Sequence, residues 1–177
     1  QYWQIQLEPA QTRLLQRTQL QPGEKVLDIA CGTGLLSFQM AGSIVPGGHL
    51  TATDISDRMI EHAAKTAAAR NISNISFQRM EAEALSFDDA QFDVVICSLG
   101  LMYVTDAQQS VNEMYRVTQA GGRAAALVWG NRNACGWADI FPIVEARVSS
   151  EVCPLFFRLG TGNFLQQTFE QAGFRNV

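Results

Sequence analysis

Two glycines, Gly32 and Gly34, follow a short apolar run that carries one carboxylate, Asp28. Glycine frees the backbone for a tight turn, so a ligand can approach the main chain where side chains would otherwise stand. A second carboxylate, Asp54, comes twenty residues after Gly34 and closes a second apolar run. An acid at the end of a second strand can accept hydrogen bonds from a ribose held at the first turn. The alternative is that Asp54, with Ser56 or Asp57, only caps the helix that follows. Glu81 follows a third such segment and is trailed by Ala82. There a carboxylate can accept from an exocyclic amine while the next backbone N–H meets a ring nitrogen. Glu83, two positions further on, reads as a solvated charge.

The elements needed to bring these positions together are legible in the hydrophobic pattern. Val26, Leu27, Ile29 and Ala30 suit a strand buried on both faces, and a helix is expected over 35–44, its amino end turned toward the glycines. A second strand is expected over 49–53, then a helix over 58–70 with an alanine-rich face. A third strand spans 75–78 and a fourth 92–98, after which residues 99–105 cross the same edge of the sheet. Asp106 and Gln109 form a capping-box pattern for a helix to about residue 118, stopped by Gly121 and Gly122, before a fifth strand over 123–129. Helices are also expected over 9–18, with Pro9 in the first turn, and over 138–147 and 164–172. Alternating strands and helices argue for an α/β fold, a doubly wound, mostly parallel sheet covered on both faces.

Composition narrows the setting. The chain has 177 residues, 47% of them hydrophobic, and a net charge of −4. That supports one domain with a substantial core and gives no basic footprint for holding nucleic acid through its phosphates. No apolar run approaches the roughly 18 residues of a membrane span. Cys31, Cys97, Cys135 and Cys153 are too widely spaced for a Cys-x-x-Cys metal or redox motif, so the expectation is reduced thiols in a cytoplasmic protein and no metal site. The chain opens on Gln1 and ends just past a helix cap at Gly173, which reads as a domain trimmed at both ends.

The run from Val26 to Gly34, Asp54 after the second strand, Glu81-Ala82 after the third, and Phe92-Asp93-Val94-Val95 opening the fourth together resemble the class I S-adenosylmethionine-dependent methyltransferases. Within that superfamily the chain is similar to the small-molecule branch that includes the quinone-biosynthesis enzymes. The resemblance implies a Rossmann-like three-layer sandwich whose last strands lie beyond Phe174, and S-adenosylmethionine as cofactor. It implies that Asp28, Ala30, Gly32 and Gly34 hold the methionine portion, Asp54 the ribose, Ile55 and Met59 the adenine face, and Glu81 and Ala82 the adenine edge. Ser98 and Leu99 would lie beside the methionine chain and the acceptor, a small molecule. The family commonly has Asp where this chain has Glu81. In the quinone-type enzymes the segment after the fourth strand carries a polar pattern, whereas residues 99–104 here are mostly apolar.

Two other readings stand beside this one. A nicotinamide-dependent oxidoreductase also uses Gly-x-Gly with an acid about twenty residues later. Here Ser37 replaces the third glycine, and Asp28 suits an ammonium group and repels a diphosphate. A methyltransferase-like domain that binds without catalysing is the other. No catalytic residue is assigned: Tyr103, His49 and Asp106 are all possible bases, and no spacing singles one out. Tyr2 and Trp3 are weak candidates for covering a ligand, and the aromatics Trp137, Phe141, Phe156 and Phe157 for an apolar wall.

Overall fold

The computed structural model describes residues 2–147 and 156–177. Five strands form one sheet: β1 (Lys25–Ile29), β2 (His49–Asp54), β3 (Ile75–Arg79), β4 (Phe92–Ser98) and β5 (Thr118–Leu127). Their order is β3-β2-β1-β4-β5 and every pairing is parallel. The order reverses direction at β1, and the carboxyl ends of β1, β2 and β4 meet at that reversal. In open α/β sheets this is where ligands bind.

Alternate residues of the central strands feed two separate cores. Val26, Leu50, Ala52, Val94 and Ile96 face one side, against Leu36 and Met40 of α2 (Leu35–Ser43) and Leu14 of α1 (Tyr2–Thr18). Leu27, Ile29, Val95 and Cys97 face the other, against Val111 and Met114 of α4 (Ala107–Val117) and Phe169 of α6 (Phe164–Ala172). Between α2 and α4 in sequence, α3 (Asp57–Ala69) lies against β2 and β3 and buries Ala63 and Ala67. A strand between two helix layers has no solvent face, which is why these strands are continuous apolar runs.

Three boundaries differ from expectation. The first helix starts at Tyr2, two turns before Pro9, and carries Pro9 in its interior. Good helix formers on either side, many of them glutamine, outweigh the backbone hydrogen bond that proline removes. The side chains of Tyr2 and Trp3 lie outside those described, as does Cys153. The fourth helix ends at Val117, with the Thr118 hydroxyl donating to the Met114 carbonyl at 2.6 Å, and β5 begins at once. Gly121 and Gly122 therefore do not stop a helix. They fall in an irregularity of β5, between Thr118 opposite Phe92 and Arg123 opposite Val94. A Cβ on Gly122 would come within 2.7 Å of the Asp93 carbonyl oxygen. Finally, α5 is confined to Ile140–Glu145, shorter than the helix expected over 138–147.

The connection from β3 to β4 has no helix, and Arg116 of α4 holds it. Its Nη1 donates to the Phe87 carbonyl at 2.7 Å and to Asp89 at 2.8 Å, its Nη2 to the Leu85 carbonyl and Glu113, each at 2.8 Å. Glu113 also accepts from the Leu85 N–H at 2.8 Å. The hydrogen bond from Arg116 holds the Glu113 carboxyl below its usual range. Its contribution to stability is thus present above the ordinary glutamate pKa and lost as the pH falls. We expect Arg116→Ala to cost about 2 kcal/mol in urea unfolding, because it removes the donor to two carbonyls and two carboxylates. Lysine, lacking the planar fork, should not restore it. The acid-side loss of stability should shrink in the alanine variant.

Candidate ligand site at the strand ends

The turn after β1 is built from left-handed residues: Ala30 at φ 57°, Gly32 at 55° and Gly34 at 81°. Gly34 is the N-cap of α2, as its place before the helix predicts. The Cys31 N–H donates to the Thr53 carbonyl at 2.9 Å, and the Gly32 N–H donates to the Asp54 carboxylate at 2.8 Å. The other Asp54 oxygen accepts from the Ser56 N–H at 2.9 Å. Asp54 therefore fastens the glycine turn to the end of β2. The helix N-cap is Ser56, whose hydroxyl accepts from the Met59 N–H.

In front of this turn lies a cavity of about 450 Å³. Of the residues singled out in the sequence, Ala30, Gly32, Asp54, Ile55, Met59 and Ala82 line it. A Cβ added to Gly32 would meet nothing within 4 Å. The missing side chain leaves ligand space there, not packing space. Ile55 and Met59 are 59% and 41% exposed, apolar side chains standing open at the rim. The opposite wall comes from residues 99–105, of which Leu99, Gly100, Tyr103, Val104 and Thr105 take part.

This strap is pinned where it leaves β4. Leu99 takes a left-handed φ of 60° and donates its N–H to the Leu127 carbonyl at 2.7 Å. A Cβ on Gly100 would come within 2.6 Å of both the Ala30 Cβ and the Cys97 Sγ, so strap and glycine turn are in direct contact only because residue 100 has no side chain. Beneath the strap the Ser98 hydroxyl is buried without a hydrogen-bond partner. An unsatisfied hydroxyl of that kind calls for a ligand or water.

Four of the expected residues do not line the cavity. Asp28 is 2% exposed and sits beneath the turn, where it accepts a 2.6 Å hydrogen bond from the Ser37 hydroxyl. Burial pushes its carboxyl up to about 7, opposed by the Ser37 bond and reinforced by the charge of Asp54. Gly34 and Ser98 stand behind the lining, and Glu81 is exposed outside it. The lining carboxylate on that side is Glu83, which sequence reading took for a solvated charge. Its partner, Asp106, lies 23 residues away, so nothing local in the sequence marks it. Leu99, Gly100 and Tyr103 join the site because the apolar segment after β4 turns back across the strand ends.

Chemically, the cavity combines backbone polar groups, carboxylates and apolar rims. No lysine or arginine lines it among the described residues. Burial raises the Cys31 thiol and pushes Cys97 up to about 12, leaving both protonated at neutral pH. Such a site can bind, orient and desolvate.

The methyltransferase domain family matches residues 26–122. A demethylmenaquinone methyltransferase from Listeria monocytogenes serotype 4a is 36% identical over 122 residues, which cover 69% of this chain and 52% of that protein. A ubiquinone/menaquinone biosynthesis C-methyltransferase from Zymomonas mobilis is 32% identical over 129 residues, 73% of this chain and 52% of that one. The match thus spans about half the length of these curated relatives. Among solved structures, a SAM dependent methyltransferase from Aquifex aeolicus superposes with a TM-score of 0.75 at 15% identity, covering 93% of this chain and 79% of that chain. That likeness establishes the fold.

The raised Asp28 carboxyl has a measurable consequence. A carboxyl whose folded pKa exceeds its unfolded value destabilises the fold as it ionises. The stability of the wild type relative to Asp28→Asn should therefore fall as pH rises from about 4 to about 7, then level off. Unfolding by urea across that range measures it, and the difference curve removes contributions common to both proteins.

Proposed function

The chain belongs to the methyltransferase domain family, and from that premise we propose that it uses S-adenosylmethionine to methylate a small-molecule acceptor. The observation that carries this reading is one cavity formed by Gly32, Asp54, Ile55, Met59 and Ala82, residues drawn from three separate strand ends. Their chemistry fits the cofactor. The open space at Gly32 suits the polar methionine end, and the exposed Ile55 and Met59 suit a flat base. The absence of lysine and arginine among the described lining residues fits a ligand that is itself cationic.

In this proposal Asp54 accepts from the ribose hydroxyls with the lone pairs left over after Gly32 and Ser56. Ala82 offers its backbone N–H to the adenine edge, and Glu81 reaches that edge from outside the lining. Asp28 acts from beneath the turn, as a negative charge that the ligand's positive charge would offset, and as the anchor of α2 through Ser37. The cofactor supplies a methyl group already activated by its sulfonium for in-line displacement. What remains for the chain is to align the acceptor and exclude water, which accounts for a site without a dedicated base.

The acceptor side is the strap and the cluster behind it. Tyr103 meets Phe156 edge-on at 5.2 Å, and Phe156 packs with Trp137, Phe141 and Phe157. An apolar acceptor matches that wall better than a small charged amine. The quinone-ring names of the curated relatives agree with an apolar acceptor, and a screen of candidate acceptors read by release of S-adenosylhomocysteine identifies the class.

Calorimetric titration with S-adenosylhomocysteine tests the central claim. We expect micromolar binding, and a folded sample that shows none overturns the cofactor assignment. Asp54→Asn keeps an acceptor for the Gly32 amide but loses the charge, so it should weaken binding by about 1–3 kcal/mol. Unchanged affinity would leave Asp54 as a fastener of the turn alone.

A further inference from the structure

Glu83 occupies an unusual position for a residue that lines the ligand cavity. Its Oε1 accepts a 2.8 Å hydrogen bond from the Asp106 N–H, and its backbone carbonyl accepts from the Gln109 side-chain amide at 3.3 Å. Asp106 in turn caps α4, its carboxylate accepting from the Gln109 N–H at 2.9 Å. The first turn of α4 is thus fastened to the β3–β4 connection, on which Ala82 also sits. Between Ser98 and Asp106 runs the strap. Its near end is fixed by the contact of Gly100 with Ala30, and its far end is the amide that Glu83 holds.

The geometry points to Glu83 as a positioning residue that sets the width of the cavity by latching the far end of the strap 99–105. The inference extends the cofactor reading but does not need it for the latch itself. An acceptor oxygen is what this task needs, because the Asp106 backbone N–H would otherwise be left without a partner on this side. Buried Leu101 and Met102 seat the middle of the strap, and beyond them the chain is more exposed. Tyr103 is 67% exposed, Thr105 and Asp106 are exposed, and the Tyr103 N–H bonds only within the strap, to the Gly100 carbonyl. Releasing the Asp106 amide would let Tyr103, Val104 and Thr105 move away from Ala82 and Met59. It would also shift Tyr103 relative to Phe156, so one carboxylate fixes both the cofactor-facing wall and its contact with the aromatic cluster.

Two substitutions separate this role from direct ligand contact. Glu83→Ala removes the acceptor. Glu83→Gln keeps an acceptor oxygen and removes the charge. In the ligand-free protein, amide hydrogen exchange over residues 103–107 should rise about tenfold or more in Glu83→Ala and stay within about threefold of wild type in Glu83→Gln. Exchange in β1 and β4 should be unaltered in both. Titration with S-adenosylhomocysteine should follow the same order, with affinity reduced about tenfold in the alanine variant and restored by glutamine. If exchange over 103–107 is unchanged in Glu83→Ala, there is no latch. If glutamine loses affinity as fully as alanine while its exchange stays low, the carboxylate contacts the ligand itself and the positioning role is wrong. Loss of S-adenosylhomocysteine binding by the wild type would overturn the cofactor reading instead, and the exchange result would stand apart from it.

Discussion

The hydrogen bond from the Gly32 N–H to the Asp54 carboxylate is the constraint on which the site depends. Parallel strands by themselves bring the ends of β1 and β2 side by side but leave the turn between β1 and α2 undefined. With Asp54 holding Gly32 and the Thr53 carbonyl holding Cys31, the turn is fixed to β2 at two adjacent residues. The left-handed geometry at Ala30, Gly32 and Gly34 follows from that attachment, and α2 begins where it ends. Once the turn is set, Gly100 can pack on Ala30, and the strap after β4 has a surface to lie across.

A second constraint acts below the first. Two carboxylates, Asp28 and Asp54, lie close enough that the charge of one raises the other, and Asp28 is almost fully buried. Placing a carboxylate there costs stability at neutral pH unless something positive comes near. Among the described residues the Ser37 hydroxyl donates to it, which is partial compensation.

Much of this was legible in the sequence, because strands buried on both faces are written as apolar runs and a glycine turn after the first of them is hard to mistake. The parallel sheet and the placing of Gly32, Asp54 and Ala82 at its strand ends came from that pattern. Asp28 shows where reading stops. A lone carboxylate in an apolar strand was expected to touch the ligand, yet its partner is Ser37, nine residues on, which had counted only as a missing glycine. Strand periodicity tells which face Asp28 takes but not what α2 presents to it. Gly121 and Gly122 were misread for a similar reason. Glycines after a helix usually cap it, and here Thr118 closes the helix while the glycines make room against the Asp93 carbonyl. Glu81 and Glu83 are alike in type and two residues apart, and only the position of Asp106, a long-range fact, assigns them different work.

The division between what was and was not legible also divides the site. Every residue proposed for the cofactor lies between Asp28 and Ser98, inside the stretch that the family match covers. The aromatic cluster of Trp129, Trp137, Phe141, Phe156 and Phe157 lies beyond it. Cofactor binding uses backbone geometry and a few carboxylates, which leave a fixed spacing in the sequence. An acceptor wall needs only apolar surface of suitable shape, and many combinations of aromatic residues provide it. The strap joins the two: Leu99 lines the cavity and packs on the aromatic cluster, and Tyr103 lines the cavity and touches Phe156. Strap and turn therefore share the contact at Gly100, while the aromatic cluster meets the strap at Leu99 and Tyr103.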